Sequence, residues 1–195
     1  MLKYPRSKSP CRFPGAAFHI MIPIYLTAHT APSHTLLARA AALSTGLPEA
    51  DFGALHTLPG GKPVFSRHPA LHFSLSHSGD LWACAFSDAP VGLDIQKIVE
   101  KPVERLARRW FHPAETAYLE AHGFSRFFEV WCAKESLVKY LGTGIDGSFQ
   151  KFAAADENGL LSKVGDVQLL PFSPAEGYCG CLAAERREEI RLIRF

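Results

Sequence analysis

With 195 residues, 47% of them hydrophobic and 21% charged, the chain can bury a substantial core and is too apolar to be a disordered or fibrous protein. The formal net charge is +2, but residues 1–20 hold Lys3, Arg6, Lys8 and Arg12 with no acid, a local +4 that leaves −2 for the rest, so the folded part lacks the basic body of a nucleic-acid binder. No apolar run approaches the ~18 residues of a membrane helix, and Pro5, Pro10, Pro14 and Gly15 break the basic N-terminus before any signal-type apolar stretch; residues 1–20 read as a flexible leader and the protein as cytoplasmic.

A strand is expected over residues 22–27, followed by a helix with Ser33 at its N-cap and Leu36, Leu37, Ala40 and Leu43 in helical spacing, stopped by Gly46 and Pro48. Arg39 is the one strong charge on that helix. The following loop contains Gly60-Gly61-Lys62-Pro63, where glycine permits close backbone approach to a ligand and Lys62 stands beside a rigid proline. Leu71, Phe73 and Leu75 alternate as one face of a strand, and Ser76-His77-Ser78-Gly79-Asp80 reads as a polar turn. With residues 81–86 and 91–95, the segment predicts three antiparallel strands. Asp94, set between Leu93 and Ile95, is costly to bury without a cation or donor.

A helix over residues 101–110 is predicted by Val103, Leu106 and Trp110, and a second begins at Pro113, with Glu115 in its first turn where the helix dipole favours an acid. The stretch FFEVWCAKESLVKYLGTGI, residues 127–145, then organises the chain. As a helix from about 125 to 141 it sets Trp131, Glu135 and Lys139 at i, i+4, i+8 on one face, with Lys134 about 100° around from Glu135. Strands are expected over 149–154, 160–163, 167–170, 178–184 and 190–195. Five cysteines, Cys11, Cys84, Cys132, Cys179 and Cys181, lie mostly in apolar segments and read as reduced thiols; the C-x-C of Cys179 and Cys181 has no second pair at zinc spacing.

The order of elements predicts an α+β protein of two similar lobes in pseudo-twofold arrangement, each with a small antiparallel sheet and a packed helix. The lobes are placed at 21–100 and 101–195, with a site in the crevice between them where Asp94 meets Glu135. Ser136 and Lys139 also spell the S-x-x-K of penicillin-recognising enzymes, but the K-T-G and S-D-N elements those require are absent. Adjacent Ser76, His77 and Ser78 do not offer hydrolase geometry.

Lys62-Pro63, Phe73-Ser74-Leu75-Ser76-His77-Ser78-Gly79, Val91-Gly92-Leu93-Asp94-Ile95, Phe111 with Glu115, and Trp131-Cys132-Ala133-Lys134-Glu135-Ser136-Leu137-Val138-Lys139 together resemble the ordered motifs of the 4'-phosphopantetheinyl transferase superfamily, in its long, two-lobed Sfp-type branch. The resemblance implies Mg2+-dependent transfer of the phosphopantetheine arm of coenzyme A to a serine of an apo-acyl or peptidyl carrier protein, with release of 3',5'-ADP: the activity of a holo-[acyl-carrier-protein] synthase. It implies Glu135 and Lys139 as catalytic residues. Lys62, Ser76, His77, Asp94, Lys134 and Arg39 would bind the coenzyme, and Asp94, Glu135, Gln96 and Glu115 the metal, with Mn2+ able to replace Mg2+. The partners implied are coenzyme A and a carrier protein, with no nucleic acid and no membrane, and the chain is expected to act as a monomer. One departure is visible: Gln96 stands where the family's G-x-D-x-E motif has its second acid. It favours a second reading, a non-catalytic module that binds coenzyme A or a carrier.

Overall fold

The computed structural model describes residues 21–58, 61–144, 149–186 and 189–195; the basic leader, Cys11, Gly60 of the glycine pair and Ile145 lie outside the described residues. In chain order the elements are β1 (Met21–Ala28), α1 (Ser33–Thr45), a 3-10 turn (Glu49–Phe52), β2 (Leu55–Thr57), β3 (Pro63–Phe65), β4 (His72–Ser78), β5 (Leu81–Ser87) and β6 (Val91–Lys97). The helices α2 (Glu104–Trp110), α3 (Pro113–Ala121) and α4 (Phe127–Leu141) follow. The chain continues through β7 (Ala155–Asp156), β8 (Gly159–Leu160), β9 (Lys163–Val164), β10 (Val167–Phe172), β11 (Tyr178–Ala184) and β12 (Glu189–Arg194).

This is an α+β fold; among the described residues it has two four-stranded sheets, ordered β12-β1-β5-β4 and β6-β11-β10-β9, and two short hairpins. Its layers follow from strand alternation. On β5, Trp82, Cys84 and Phe86 pack with Leu36, Leu37 and Ala40 of α1, whereas Leu81, Ala83 and Ala85 turn to the second sheet. There they meet Leu93 and Ile95 of β6 and Leu182 of β11, together with Ile22, Ile24 and Leu26 of β1. The other face of the second sheet, through Leu169, Cys179 and Cys181, receives Val130, Cys132, Ala133 and Leu137 of α4. A strand buried on both faces needs a continuous apolar run, which LWACAFS supplies.

The two sheets are stitched along β4 and β6 by serines. The hydroxyls of Ser74, Ser76 and Ser78 accept the backbone N–H groups of Leu93 at 2.9 Å, Ile95 at 3.2 Å and Lys97 at 3.0 Å. Those amides would otherwise lie at a sheet edge without a partner. β6 therefore pairs with β11, not with β5, which corrects the expected run of three antiparallel strands. For the same reason residues 76–78 are strand; only Gly79 and Asp80 make the turn, with Gly79 at φ 53.

Other differences are local. Pro32, not Ser33, occupies the N-cap of α1, and no side chain caps it. Residues 149–154 form turns and bends instead of a strand, because the segment is held by side chains of α3 and α4 described below. The expected division near residue 100 is not the division of the sheets: β6 joins the second sheet, and β12 returns to lie parallel to β1 in the first. Helix α4 ends where Gly142, at φ 71, donates its N–H to Val138 O at 2.8 Å, the left-handed stop that glycine adopts without strain.

Candidate active site

Gly92, Asp94 and Gln96 alternate on the face of β6 that α4 covers. Asp94 is only 3% exposed, so its carboxylate needs donors, and it has three. Ser76 Oγ donates to Oδ1 at 2.7 Å, Lys139 Nζ donates to the same oxygen at 2.8 Å, and Gln96 Nε2 donates to Oδ2 at 3.0 Å. Lys139 also reaches the Leu75 carbonyl at 3.4 Å, so one ammonium touches β4 and β6 from α4. The Gln96 oxygen is turned to the hydroxyl of Ser78 at 3.4 Å.

Glu135 lies one helical turn before Lys139. Burial raises its carboxyl to about 7, and the negative charge of Asp94 pushes in the same direction, partly opposed by Lys139. It borders a pocket of ≈ 310 Å³ whose other walls are Gln96, Lys101, Leu106, Phe127, Phe128 and Trp131. Its lining combines the polar Gln96, Lys101 and Glu135 with the aromatic rings of Phe127, Phe128 and Trp131. Trp131 packs on Phe111 and Phe149, outside its own helix, with centroids 6.0 and 5.8 Å apart, so it anchors the helix and lines the pocket at once.

The donor set suits a hard divalent cation. The charge of Asp94 raises the proton affinity of Glu135, a repulsion that a cation held by both carboxylates relieves, and Gln96 can offer an amide oxygen once rotated from Ser78. Among the described residues no three His, Cys, Asp or Glu side chains converge, so two carboxylates are the charge available.

Glu115 and Lys134 belong to a different structure. Glu115 is fully buried, and its carboxylate accepts the His112 N–H at 2.8 Å in a capping box, the Ala154 N–H at 2.7 Å and the Lys134 ammonium at 2.9 Å. Lys134 also donates to Phe152 O at 2.7 Å and lies over the rings of Phe152 and Phe149, at 4.1 and 4.8 Å from their centroids. Burial lowers its pKa and Glu115 opposes the change. This pair fastens α4 to the start of α3 and to residues 152–154. The resemblance implied Glu115 at the metal and Lys134 on the coenzyme; here the two buried side chains are committed to each other and to the backbone of His112, Phe152 and Ala154. The ~100° between Lys134 and Glu135 sends the first into the core and the second into the pocket.

The remaining cations are dispersed. Lys62 donates to Val91 O at 2.9 Å and to Lys139 O at 3.1 Å, which satisfies a carbonyl of the last turn of α4; burial lowers its pKa to about 8. His77 is exposed on β4, and its ring packs against that of His29, tilted by 33° with centroids 4.4 Å apart. Arg39 is exposed on α1 and sits 5.6 Å over the ring of Phe195, away from Asp94. The structure thus brings together Asp94, Glu135, Lys139, Gln96 and Ser76, with Lys62 behind Lys139. Sequence reasoning missed His29, which nothing but its place at the end of β1 advertises, and the serines flanking Ser76, whose S-x-S-x-S alternation was the available signal.

Residues 90–174 match the family model described as the 4'-phosphopantetheinyl transferase superfamily. Over 99 residues, 48% of this chain and 42% of the relative, the sequence is 41% identical to the 4'-phosphopantetheinyl transferase psf-1 of Bacillus pumilus. It is 34% identical over 124 residues to a 4'-phosphopantetheinyl transferase of Bacillus subtilis, covering 60% of this chain and 54% of that one. To the 4'-phosphopantetheinyl transferase Sfp of the same species it is 36% identical over 98 residues, 48% of this chain and 43% of the relative. The chain spans about half the length of the curated relatives it matches.

Proposed function

We propose, for a chain that carries the sequence of the 4'-phosphopantetheinyl transferase superfamily over residues 90–174 and resembles its Sfp-type members, that it transfers the phosphopantetheine arm of coenzyme A to a serine of an apo-acyl or peptidyl carrier protein, as a holo-[acyl-carrier-protein] synthase. The observation that carries this reading is the contact of Lys139 with Asp94 at 2.8 Å, with Glu135 one turn away and titrating near neutrality at about 7.

Each residue then has a task. Glu135, ionised in a large fraction at neutral pH, accepts the proton of the carrier serine. The serine oxygen bonds to the phosphorus bearing the pantetheine arm as the bond to the second phosphate breaks, and 3',5'-ADP leaves. Lys139 offsets the charge that develops in that exchange. Asp94 and Glu135, with Gln96 beside them, would hold Mg2+ or Mn2+; when bound, the ion neutralises the pyrophosphate. His77, with His29 packed beside it, offers donors to a phosphate at the exposed end of β4. All these groups lie on one chain, so a monomer suffices, and the proposed setting is the cytoplasm.

The test mixes the protein with coenzyme A, Mg2+ and a panel of apo-carrier proteins, and reads the mass of the carrier. A gain of one phosphopantetheine group is expected, lost in Asp94→Asn and Glu135→Gln. Gln96 favours the second reading, a module that binds coenzyme A or a carrier without transfer; measurable binding with no mass gain on any carrier would establish it.

A further inference from the structure

We propose that Ser76 is a positioning residue for the Asp94 carboxylate and not a ligand of the coenzyme. This rests on the reading of Asp94 as part of a cation site. A serine hydroxyl has one proton and two lone pairs. Here the proton is committed to Asp94 Oδ1 at 2.7 Å, and a lone pair accepts the Ile95 N–H at 3.2 Å. Ser76 is 5% exposed and Asp94 3%, so a phosphate cannot compete for that proton without breaking a buried charge-assisted bond.

The neighbouring serines isolate what is special at this rung. Ser74 accepts the Leu93 N–H at 2.9 Å and is equally buried, but it faces no carboxylate. Ser78 accepts the Lys97 N–H and touches the Gln96 oxygen at 3.4 Å. All three tie β4 to β6; only Ser76 also sets the rotation of Asp94. Its donor is neutral, whereas the other donor to Oδ1, Lys139, is a cation that competes with a metal for the same oxygen. Removing the hydroxyl leaves Oδ1 to Lys139 alone and draws the carboxylate toward α4.

The experiment titrates Mn2+ into the full chain by electron paramagnetic resonance, and coenzyme A by calorimetry in EDTA, so that neither reading depends on turnover. Ser76→Ala is expected to weaken Mn2+ binding about 10–100-fold, the usual effect of losing a hydrogen bond to a ligating group, with coenzyme A binding in EDTA unchanged. Ser74→Ala, the control for the serine ladder, keeps the Mn2+ affinity, and Ser76→Thr, which retains the hydroxyl, restores it. Should Ser76→Ala not fold, Ser76→Cys, with its weaker donor, replaces it with the same expectation. Loss of coenzyme A binding with intact Mn2+ affinity would overturn the proposal and make Ser76 a coenzyme contact. Equal losses in Ser74→Ala and Ser76→Ala would reduce Ser76 to a structural rung. Failure of the unchanged protein to bind Mn2+ would overturn the cation reading beneath it.

Discussion

Gly92 of β6 lies against the backbone of α4 so closely that a Cβ there would stand 1.9 Å from the Ser136 carbonyl oxygen and 2.4 Å from the Tyr140 amide nitrogen. The contact is backbone on backbone, with no flexible side chain to yield. It is what brings Lys139 within reach of Asp94, two residues along the same face of β6. Gly92→Ala is expected to cost more than about 3 kcal/mol, at the upper end of overpacking penalties, and to lose the site with the helix position. Urea midpoints and Mn2+ binding measure the two effects; a stable variant with normal binding would show that α4 can retreat.

The carboxyl of Glu135 titrates near 7 in the folded protein and at its ordinary value of 4.5 when unfolded. Between those values the folded state holds the extra proton, so this group's contribution to stability is fully present below the lower value. It is lost as pH rises through the upper one. Glu135→Gln should remove that loss, leaving the variant the more stable of the two at pH 8, read by thermal unfolding in EDTA. The acid limb of kcat/KM should fall near 7 at limiting cation and move lower as cation is added. A limb that stays fixed would separate Glu135 from the cation.

Lys134→Ala should destabilise the protein by about 3–5 kcal/mol, the cost of leaving the buried Glu115 carboxylate without its ion partner. Lys134→Met with Glu115→Gln should recover part of it, since no charge is then left buried alone, an amide oxygen still accepts from Ala154 and the thioether suits Phe149 and Phe152, while the His112 N–H loses its carboxylate acceptor. Denaturant unfolding checks both, and coenzyme A affinity at low temperature should be unchanged in the double variant. A weakened coenzyme affinity there would return Lys134 to the binding site.

Gln96→Glu would replace an amide that donates to Asp94 at 3.0 Å with a third carboxylate. Without cation the variant should unfold at lower temperature than the parent; with saturating Mn2+ the order should reverse, because the added charge then ligates instead of repelling. Thermal unfolding with and without Mn2+ reads this directly.

Much of the site was legible in the sequence because the chemistry is local. Glu135 and Lys139 share a helix face by spacing, and Asp94 was conspicuous as an acid inside an apolar strand. Strand 178–184 and the end of α4 at Gly142 were set by composition and by one glycine. What escaped was decided by partners far along the chain. Nothing in the pattern of β6 reveals that serine hydroxyls on β4 take the place of carbonyls and release β6 to pair with β11. Glu115 read well both as a helix cap and as a ligand; only the arrival of Lys134 and the Ala154 amide exhausts its oxygens. The helix pitch set Lys134 about 100° from Glu135 in the sequence already; what the pitch could not tell is that Glu115, 19 residues earlier, waits on that side.

The return of β12 to β1 governs how the protein can be made. Met21 pairs with Glu189 and Leu26 with Arg194, and the Thr27 hydroxyl bonds the Phe195 carbonyl across 168 residues. At ~5–20 residues per second of synthesis, β1 waits about 10–30 s after leaving the ribosome before its partner exists. During that time one side of the first sheet is an unpaired edge carrying Ile22 and Ile24, the kind of surface that recruits strands from other chains. Pairing so remote in sequence is also slow to nucleate. The newborn chain is therefore the form most exposed to aggregation, and its yield in a cell should depend on whether chaperones shelter β1 until β12 closes the sheet.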